Sequence, residues 1–139
     1  MYRHILVPVD LSDRNLRALE AAAELAAASG ARVTLVHVIE TIEDAAVEEF
    51  EDFYRRLEEK AEASLGPWVE RIAARGVEVG KRILYGRRTE QIVRCADAEQ
   101  ADLIVLTSHR VDLDRLGGGW GTISYQVAVF ADCAVLLVK

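Results

Sequence analysis

A glycine-rich stretch, LGGGWGTIS at residues 116–124, is the first place where residue types and spacing suggest chemistry. Its second half, Gly121-Thr122-Ile123-Ser124, leads directly into an apolar segment with helical character. Free backbone N–H groups and hydroxyls at the start of a helix bind anions such as phosphate. We therefore predict a phosphate contact at residues 121–124, preceded by a hinge at residues 116–120 because glycine is so conformationally permissive.

Polar side chains also follow two apolar runs elsewhere in the chain. Asp10 ends the run at residues 4–9, and Thr107-Ser108-His109-Arg110 ends another. A carboxylate accepts hydrogen bonds from hydroxyls or amines, and an arginine binds phosphate as a bidentate fork. His109 is either a general base or a structural, ligand-orienting residue, since no serine–histidine–acid set accompanies it. No cluster of histidine, cysteine and carboxylate has metal-ligand spacing.

Five short apolar strands alternate with four helical segments and must position these side chains. The strands are predicted at residues 4–9, 31–39, 77–85, 101–108 and 133–139, and the helices at 15–29, 43–75, 89–99 and 122–131. This alternation predicts a parallel sheet with right-handed crossovers and helices on both faces. The third strand alternates most and is expected nearer an edge, and Gly66-Pro67 predicts a kink or restart in the long helix.

The carboxyl ends of parallel strands meet at one side of such a sheet, where ligands bind at the point of strand-order reversal. Three segments with polar groups end there in this topology: residues 8–10, 38–40 and 107–110. We therefore expect one crevice to collect them.

Composition limits the classes of function. The 139 residues suffice for one domain, and the formal net charge is −6, with acidic residues concentrated between residues 40 and 62. Such a surface argues against nucleic-acid binding. No run of about 18 apolar residues predicts a membrane span, and the opening residues do not read as a signal peptide. We expect a cytoplasmic protein.

The cysteines and two of the histidines are predicted to be structural. Cys95 and Cys133 lie among apolar residues and outside any Cys-x-x-Cys pair, so both are interpreted as small core residues. His37 lies inside an apolar strand and is interpreted as a hydrogen-bonded core histidine. His4 is expected at the surface or at a strand edge.

Four segments carry a family resemblance: HILVPVDLSD at residues 4–13, VTLVHVI at 33–39, DLIVLTSHR at 102–110, and GTIS at 121–124 together with the ending CAVLLVK. Together they resemble the universal stress protein family over essentially the whole chain. The resemblance implies one domain over residues 1–139 with an α/β fold. Its single doubly wound five-stranded parallel sheet, of order 3-2-1-4-5, is Rossmann-like and similar to the adenine-nucleotide alpha-hydrolase fold, with helices on both faces.

One branch of that family binds ATP through Gly-x-x-Gly, nine residues, then Gly-Ser/Thr, and another branch does not. Gly121-Thr122 matches the second half of the pattern, but Thr107 and Arg110 stand where the first half has glycines. The resemblance implies that any ATP or AMP is bound by Pro8, Asp10, Val38, Thr107, Ser108, His109, Arg110, Gly121, Thr122, Ile123 and Ser124.

Several of these roles have alternatives. Asp10 either contacts the ribose or adenine end of a nucleotide or caps the first helix together with Ser12 and Asp13. Val38 either faces adenine with its backbone or is only a core residue. Arg110 either blocks the phosphate channel or supplies a phosphate fork. Trp120 either anchors the hinge or lies on a base.

The resemblance and the residues support three hypotheses on function. The first is a non-catalytic stress-signalling protein that binds an adenine nucleotide, ATP or AMP. The second is a dimeric interaction module that binds no nucleotide, and the third is a slow nucleotide hydrolase.

The strand Ala134–Val138 contains neither charge nor proline, so as an edge strand it is predicted to pair with its copy in a homodimer, as the resemblance also implies.

Overall fold

The computed structural model describes residues 1–41, 50–109, 114 and 122–139. Helices and strands alternate along the chain in the predicted order. Their bounds are β1 His4–Pro8, α1 Leu16–Ser29, β2 Arg32–Ile39, α2 Glu51–Ala73, β3 Val79–Tyr85, α3 Arg88–Ala98, β4 Leu103–Thr107, α4 Ile123–Phe130 and β5 Ala134–Val138. A 3₁₀ turn at Asp13–Asn15 leads into α1.

All five strands pair in parallel and form one sheet of order β3-β2-β1-β4-β5. The predicted sheet is therefore confirmed, and β3 occupies an edge, as its alternation indicated. β2 and β3 lie on one side of β1, and β4 and β5 lie on the other, so the strand order reverses between β1 and β4.

The sheet is covered on both faces. Ile5 and Val7 of β1 pack in a core that contains α1 and the buried side of α2. Leu6, between them in sequence, belongs to a second core with Ile92 of α3 and Val127 of α4. A strand buried on both faces needs apolar residues at successive positions, which explains the unbroken apolar runs.

Of the two alternatives expected at Gly66-Pro67, a kink or a restart of the long helix, the restart is wrong, because α2 continues through both residues. Proline deprives the carbonyl of the residue four positions earlier, here Ala63, of its helical donor. Ala63 and Pro67 are both exposed, so water can satisfy that carbonyl. Leu65 and Ile72, on either side of the proline, are both buried in one core and hold the two halves of the helix together.

The expectation for His4 is also wrong, because its side chain is buried at 3% exposure. His4 begins β1, the central strand, and is flanked by β2 and β4. Its Nδ1 lies 3.0 Å from the backbone carbonyl of Glu99 and its Nε2 lies 2.7 Å from Thr34 Oγ1. The interior position is tolerated because both ring nitrogens have hydrogen-bond partners.

The remaining interpretations of single residues have mixed outcomes. His37 is half-buried rather than fully buried, and its Nδ1 makes the expected hydrogen bond, at 2.9 Å from the carbonyl of Val9. Cys95 is buried and Cys133 is half-buried, and both are free thiols. Burial raises the pKa of each thiol, which disfavours the reactive thiolate.

Candidate functional site

A cleft of about 390 Å³ lies at the carboxyl ends of β1 and β4, where strand order reverses. It brings together the predicted site residues Pro8, Asp10, Val38, Thr107, Ser108, His109, Ile123 and Ser124. Thr122 immediately precedes α4 and caps it. Arg110 and Gly121, with Trp120 and the hinge before it, lie outside the described residues.

Asp10 is held at the mouth of the cleft by the turn that starts α1. Its Oδ1 accepts hydrogen bonds from the backbone N–H of Ser12 at 2.9 Å and from Ser12 Oγ at 2.6 Å. Arg14 Nη2 lies 3.7 Å from Asp10 Oδ2. Partial burial alone would raise the pKa of Asp10, but the Ser12 hydrogen bonds and the charges of Arg14 and Arg88 outweigh it and lower that pKa. Asp10 is therefore an anion at neutral pH.

The capping alternative for Asp10 is only partly correct. Ser12, not Asp10, is the N-cap of the 3₁₀ turn, and its side chain accepts from the N–H of Arg14. Asp10 supports this cap indirectly, because its carboxylate accepts the hydrogen bonds that hold Ser12 in place. Within the described part of the chain its Oδ2 makes only the long contact with Arg14, so it still has capacity to accept a hydrogen bond from a ligand.

Asn15 connects both strand ends that border the cleft. Its Oδ1 accepts from the backbone N–H of Asp10 at 2.9 Å, and its Nδ2 donates to Thr107 Oγ1 at 3.1 Å. The side chain is 4% exposed. The Thr107 hydroxyl, which lines the cleft, therefore accepts from Asn15, and its own proton has no acceptor among the described residues.

The start of α4 supplies the anion-binding end of the cleft. Thr122 Oγ1 accepts from the N–H of Tyr125 at 3.3 Å. The backbone N–H groups of Ile123 and Ser124 have no acceptor within the helix, because they lie in its first turn. Ser124 Oγ donates to Ser108 Oγ at 3.3 Å and lies 3.2 Å from Thr122 Oγ1. Hydroxyls from β4 and α4 thus meet beside the N-terminus of a helix, an arrangement that suits an anion.

The lining of the cleft is more basic than the protein as a whole. Among the residues that the structure describes, its charged side chains are Asp10, Asp13, Arg14, Arg17, Arg88 and Lys139. Four cations against two carboxylates contrast with the net charge of −6 for the chain. The remaining wall is apolar and includes Val36, Val38, Ile92 and Leu106. A ligand with a flat apolar group and an anionic group matches both parts of the lining.

Among the described residues of the cleft, the imidazole of His109 makes no hydrogen bond to a serine or carboxylate, and the backbone carbonyl of His109 accepts from Ser108 Oγ at 3.4 Å. Within the described ranges, no group of three histidine, cysteine or acidic side chains is arranged for a metal ion. In the same ranges, no helix has the length and apolar character needed to cross a membrane.

Comparison with known proteins identifies the family. The model of the universal stress protein family matches residues 1–139. The chain belongs to the universal stress protein family. A universal stress protein of Thermus aquaticus is 37% identical, with all of both chains covered.

Solved structures of similar proteins agree with the fold of this universal stress protein. The hypothetical protein MJ0577 has a TM-score of 0.84 at 29% identity, covering 100% of this chain and 96% of its own. A universal stress protein in complex with cAMP has a TM-score of 0.74 at 25% identity, covering 99% and 97%. The universal stress protein of Archaeoglobus fulgidus in complex with dAMP has a TM-score of 0.72 at 27% identity, covering 99% and 98%.

Sequence reasoning missed several residues that line the cleft of this universal stress protein: Arg14, Asn15, Arg17, Arg88 and Lys139. Two signals were available. Parallel pairing of β4 with β5 places Val138 opposite Thr107, so Lys139 must lie beside Ser108. Arg88 begins α3 shortly after β3 and so lies, like Lys139, at the carboxyl end of the strands. Both follow from strand order and not from any local motif.

Proposed function

We propose that this universal stress protein binds an adenine mononucleotide in the cleft and acts as a non-catalytic nucleotide-responsive stress protein. The observation that carries the proposal is the cleft itself. It combines an apolar wall, an ionised carboxylate and an anion-favouring helix start at the strand-reversal point.

The lining suggests how the nucleotide lies. Val38 and Ile92 are apolar surfaces for the adenine ring. Asp10 accepts from ribose hydroxyls or from the exocyclic amine, because Oδ2 still has acceptor capacity. The phosphate lies toward Ser108 and Ser124, where the N–H groups at the start of α4 and the hydroxyl of Ser108 are positioned to donate.

Two similar proteins support the choice of ligand class. One was solved with cAMP and the other with dAMP. These two compounds share adenine and a phosphate but differ in their sugar hydroxyls and in the charge of the phosphate. We therefore propose adenine with a phosphate as the recognised feature, and AMP or ATP as the ligand.

A dimeric interaction module without nucleotide is the second candidate. Thr107 carries a side chain where the ATP-binding pattern has glycine, and a side chain there limits the approach of backbone to phosphate.

For either function we propose a homodimer through β5. Leu136 is 40% exposed and Leu137 is 36% exposed on this edge strand. Pairing with a second copy would satisfy the free edge and bury both side chains.

Calorimetric titration of the wild type with AMP, dAMP, cAMP and ATP tests nucleotide binding. The Asp10→Asn variant removes the charge, keeps an acceptor for Ser12, and is expected to weaken binding about tenfold, or ~1.4 kcal/mol. Asp132→Asn is the matched control, because Asp132 is exposed and outside the cleft lining. Wild type that binds none of the four at millimolar concentration would favour the interaction module, and unchanged binding by Asp10→Asn would remove Asp10 from the site.

Light scattering at micromolar concentration tests the dimer. A mass of twice 15.4 kDa is expected for the wild type. Leu136→Asp should halve it, because each copy would place a carboxylate in the shared interface. Leu16→Asp, at a leucine of similar exposure (42%) on α1, is the control and should leave the dimer intact. A concentration-independent monomer mass for the wild type would contradict the dimer.

A further inference from the structure

Lys139 follows β5 and lies beside the anion-binding end of the cleft. The pairing of Thr107 with Val138 and the hydrogen bond from the N–H of Ser108 to the carbonyl of Val138, at 2.8 Å, fix the backbone there. Lys139 Nζ then reaches Ser108 Oγ at 3.2 Å and the carbonyl of His109 at 3.5 Å. The lysine is thus positioned by the sheet, not by a flexible loop.

The charge of Lys139 has no carboxylate partner among the described residues. Two other cations of the lining do have one, since Arg14 pairs with Asp10 and Arg88 with Glu40. The two acceptors of Lys139 are a hydroxyl and a backbone carbonyl, both neutral. Lys139 is exposed, so its ammonium is accessible to an external anion.

Ser108 extends the same site to a buried hydroxyl. The residue is 7% exposed, and its Oγ accepts from both Ser124 Oγ and Lys139 Nζ. Among the described residues, its own proton has only the carbonyl of His109 within reach, at 3.4 Å, which is near the limit for a hydrogen bond. This proton is therefore available for a phosphate oxygen that approaches Lys139.

We propose that Lys139 is the residue that makes the cleft select phosphorylated adenosine over adenosine. The inference rests on the proposed nucleotide binding and adds the group that reads the phosphate. Lys139 contributes the charge, and the hydroxyl of Ser108 and the backbone N–H of Ser124 contribute directional hydrogen bonds, because the hydroxyl proton of Ser124 is already donated to Ser108. A phosphate oxygen replaces the long contact of Lys139 with the His109 carbonyl.

The test compares AMP with adenosine on the wild type and on Lys139→Met, which keeps the length of the side chain and removes its charge. Wild type should bind AMP at least tenfold more tightly than adenosine. Lys139→Met should lose about tenfold in AMP affinity and change by less than twofold for adenosine. Raising the salt concentration should weaken AMP binding less in the variant than in the wild type. Lys60→Met, at an exposed position of α2, is the control and should match the wild type.

The outcomes separate this inference from the proposed function. If wild type binds AMP and adenosine equally, or if Lys139→Met keeps the full preference for AMP, the role of Lys139 is overturned while nucleotide binding stands. If wild type binds neither compound, the proposed function and the inference fail together. Equal losses for AMP and adenosine would show that Lys139 only shapes the cleft, and would also overturn the inference.

Discussion

Asn15 offers a quantitative test of how the cleft is assembled. Its buried amide accepts from the N–H of Asp10 and donates to Thr107 Oγ1, so it joins the ends of β1 and β4. Asn15→Ala removes two neutral hydrogen bonds, each contributing about 1 kcal/mol, and leaves a backbone N–H without its partner. We expect the free energy of unfolding to fall by about 2–3 kcal/mol. Urea denaturation at one fixed protein concentration measures it.

A double-mutant cycle isolates the hydrogen bond between the two side chains. Thr107→Val removes only the hydroxyl and should cost about 1 kcal/mol. Combined with Asn15→Ala, it should cost less than the sum of the single changes, with a coupling of about 0.5–1.5 kcal/mol. The control pairs Asn15→Ala with Thr89→Val, whose hydroxyl bonds Gln126 on α4 instead, and should be additive. A coupling near zero for Asn15 with Thr107 would refute this reasoning.

Three further predictions concern single groups. Burial raises the pKa of Asp102, but hydrogen bonds from backbone amides at the start of β1 outweigh it and lower that pKa below 3.8. Asp102→Asn should therefore lower the free energy of unfolding by about 1 kcal/mol at neutral pH. Urea denaturation should show this difference vanish as the pH falls through the pKa of Asp102 in the folded protein. The carbonyl of Glu99 can only accept, so nitrogen NMR should show Nδ1 of His4 protonated; an Nε2–H tautomer would contradict the geometry. Burial and then Glu58 raise the pKa of Tyr85 to about 12, so Glu58→Gln should lower it toward 10 in an alkaline absorbance titration, and no change would contradict the role of Glu58.

Local patterns predicted the elements well. The apolar runs of β1 and β4 indicated strands buried on both faces, and the structure confirms a parallel sheet. GTIS predicted a helix from Thr122, and the structure begins α4 at Ile123 with Thr122 as its N-cap. The strand order came from the family resemblance, because alternation of strands and helices gives parallel pairing but not the neighbours of each strand.

Contacts between distant residues were not predictable from local patterns. Asn15 and Thr107 are 92 positions apart, and only the pairing of β1 with β4 brings them together. Lys139 was not among the predicted site residues, yet its amine donates to Ser108 across the β4–β5 pair. His4 was misplaced because a polar residue at a strand start is typical of an edge, whereas here Thr34 and the Glu99 carbonyl satisfy it inside the protein.

Nucleotide binding in the cleft is tested most directly by an NMR titration of the ¹⁵N-labelled wild type with AMP. Saturable shifts are expected for the amides of Asp10, Ser108 and Ser124, which border the cleft. The amide of Gly76, which precedes β3 at the amino ends of the strands, away from the cleft, should not shift. No saturable shift at millimolar AMP, or shifts centred on Gly76, would contradict an adenine-nucleotide site at the ends of β1 and β4.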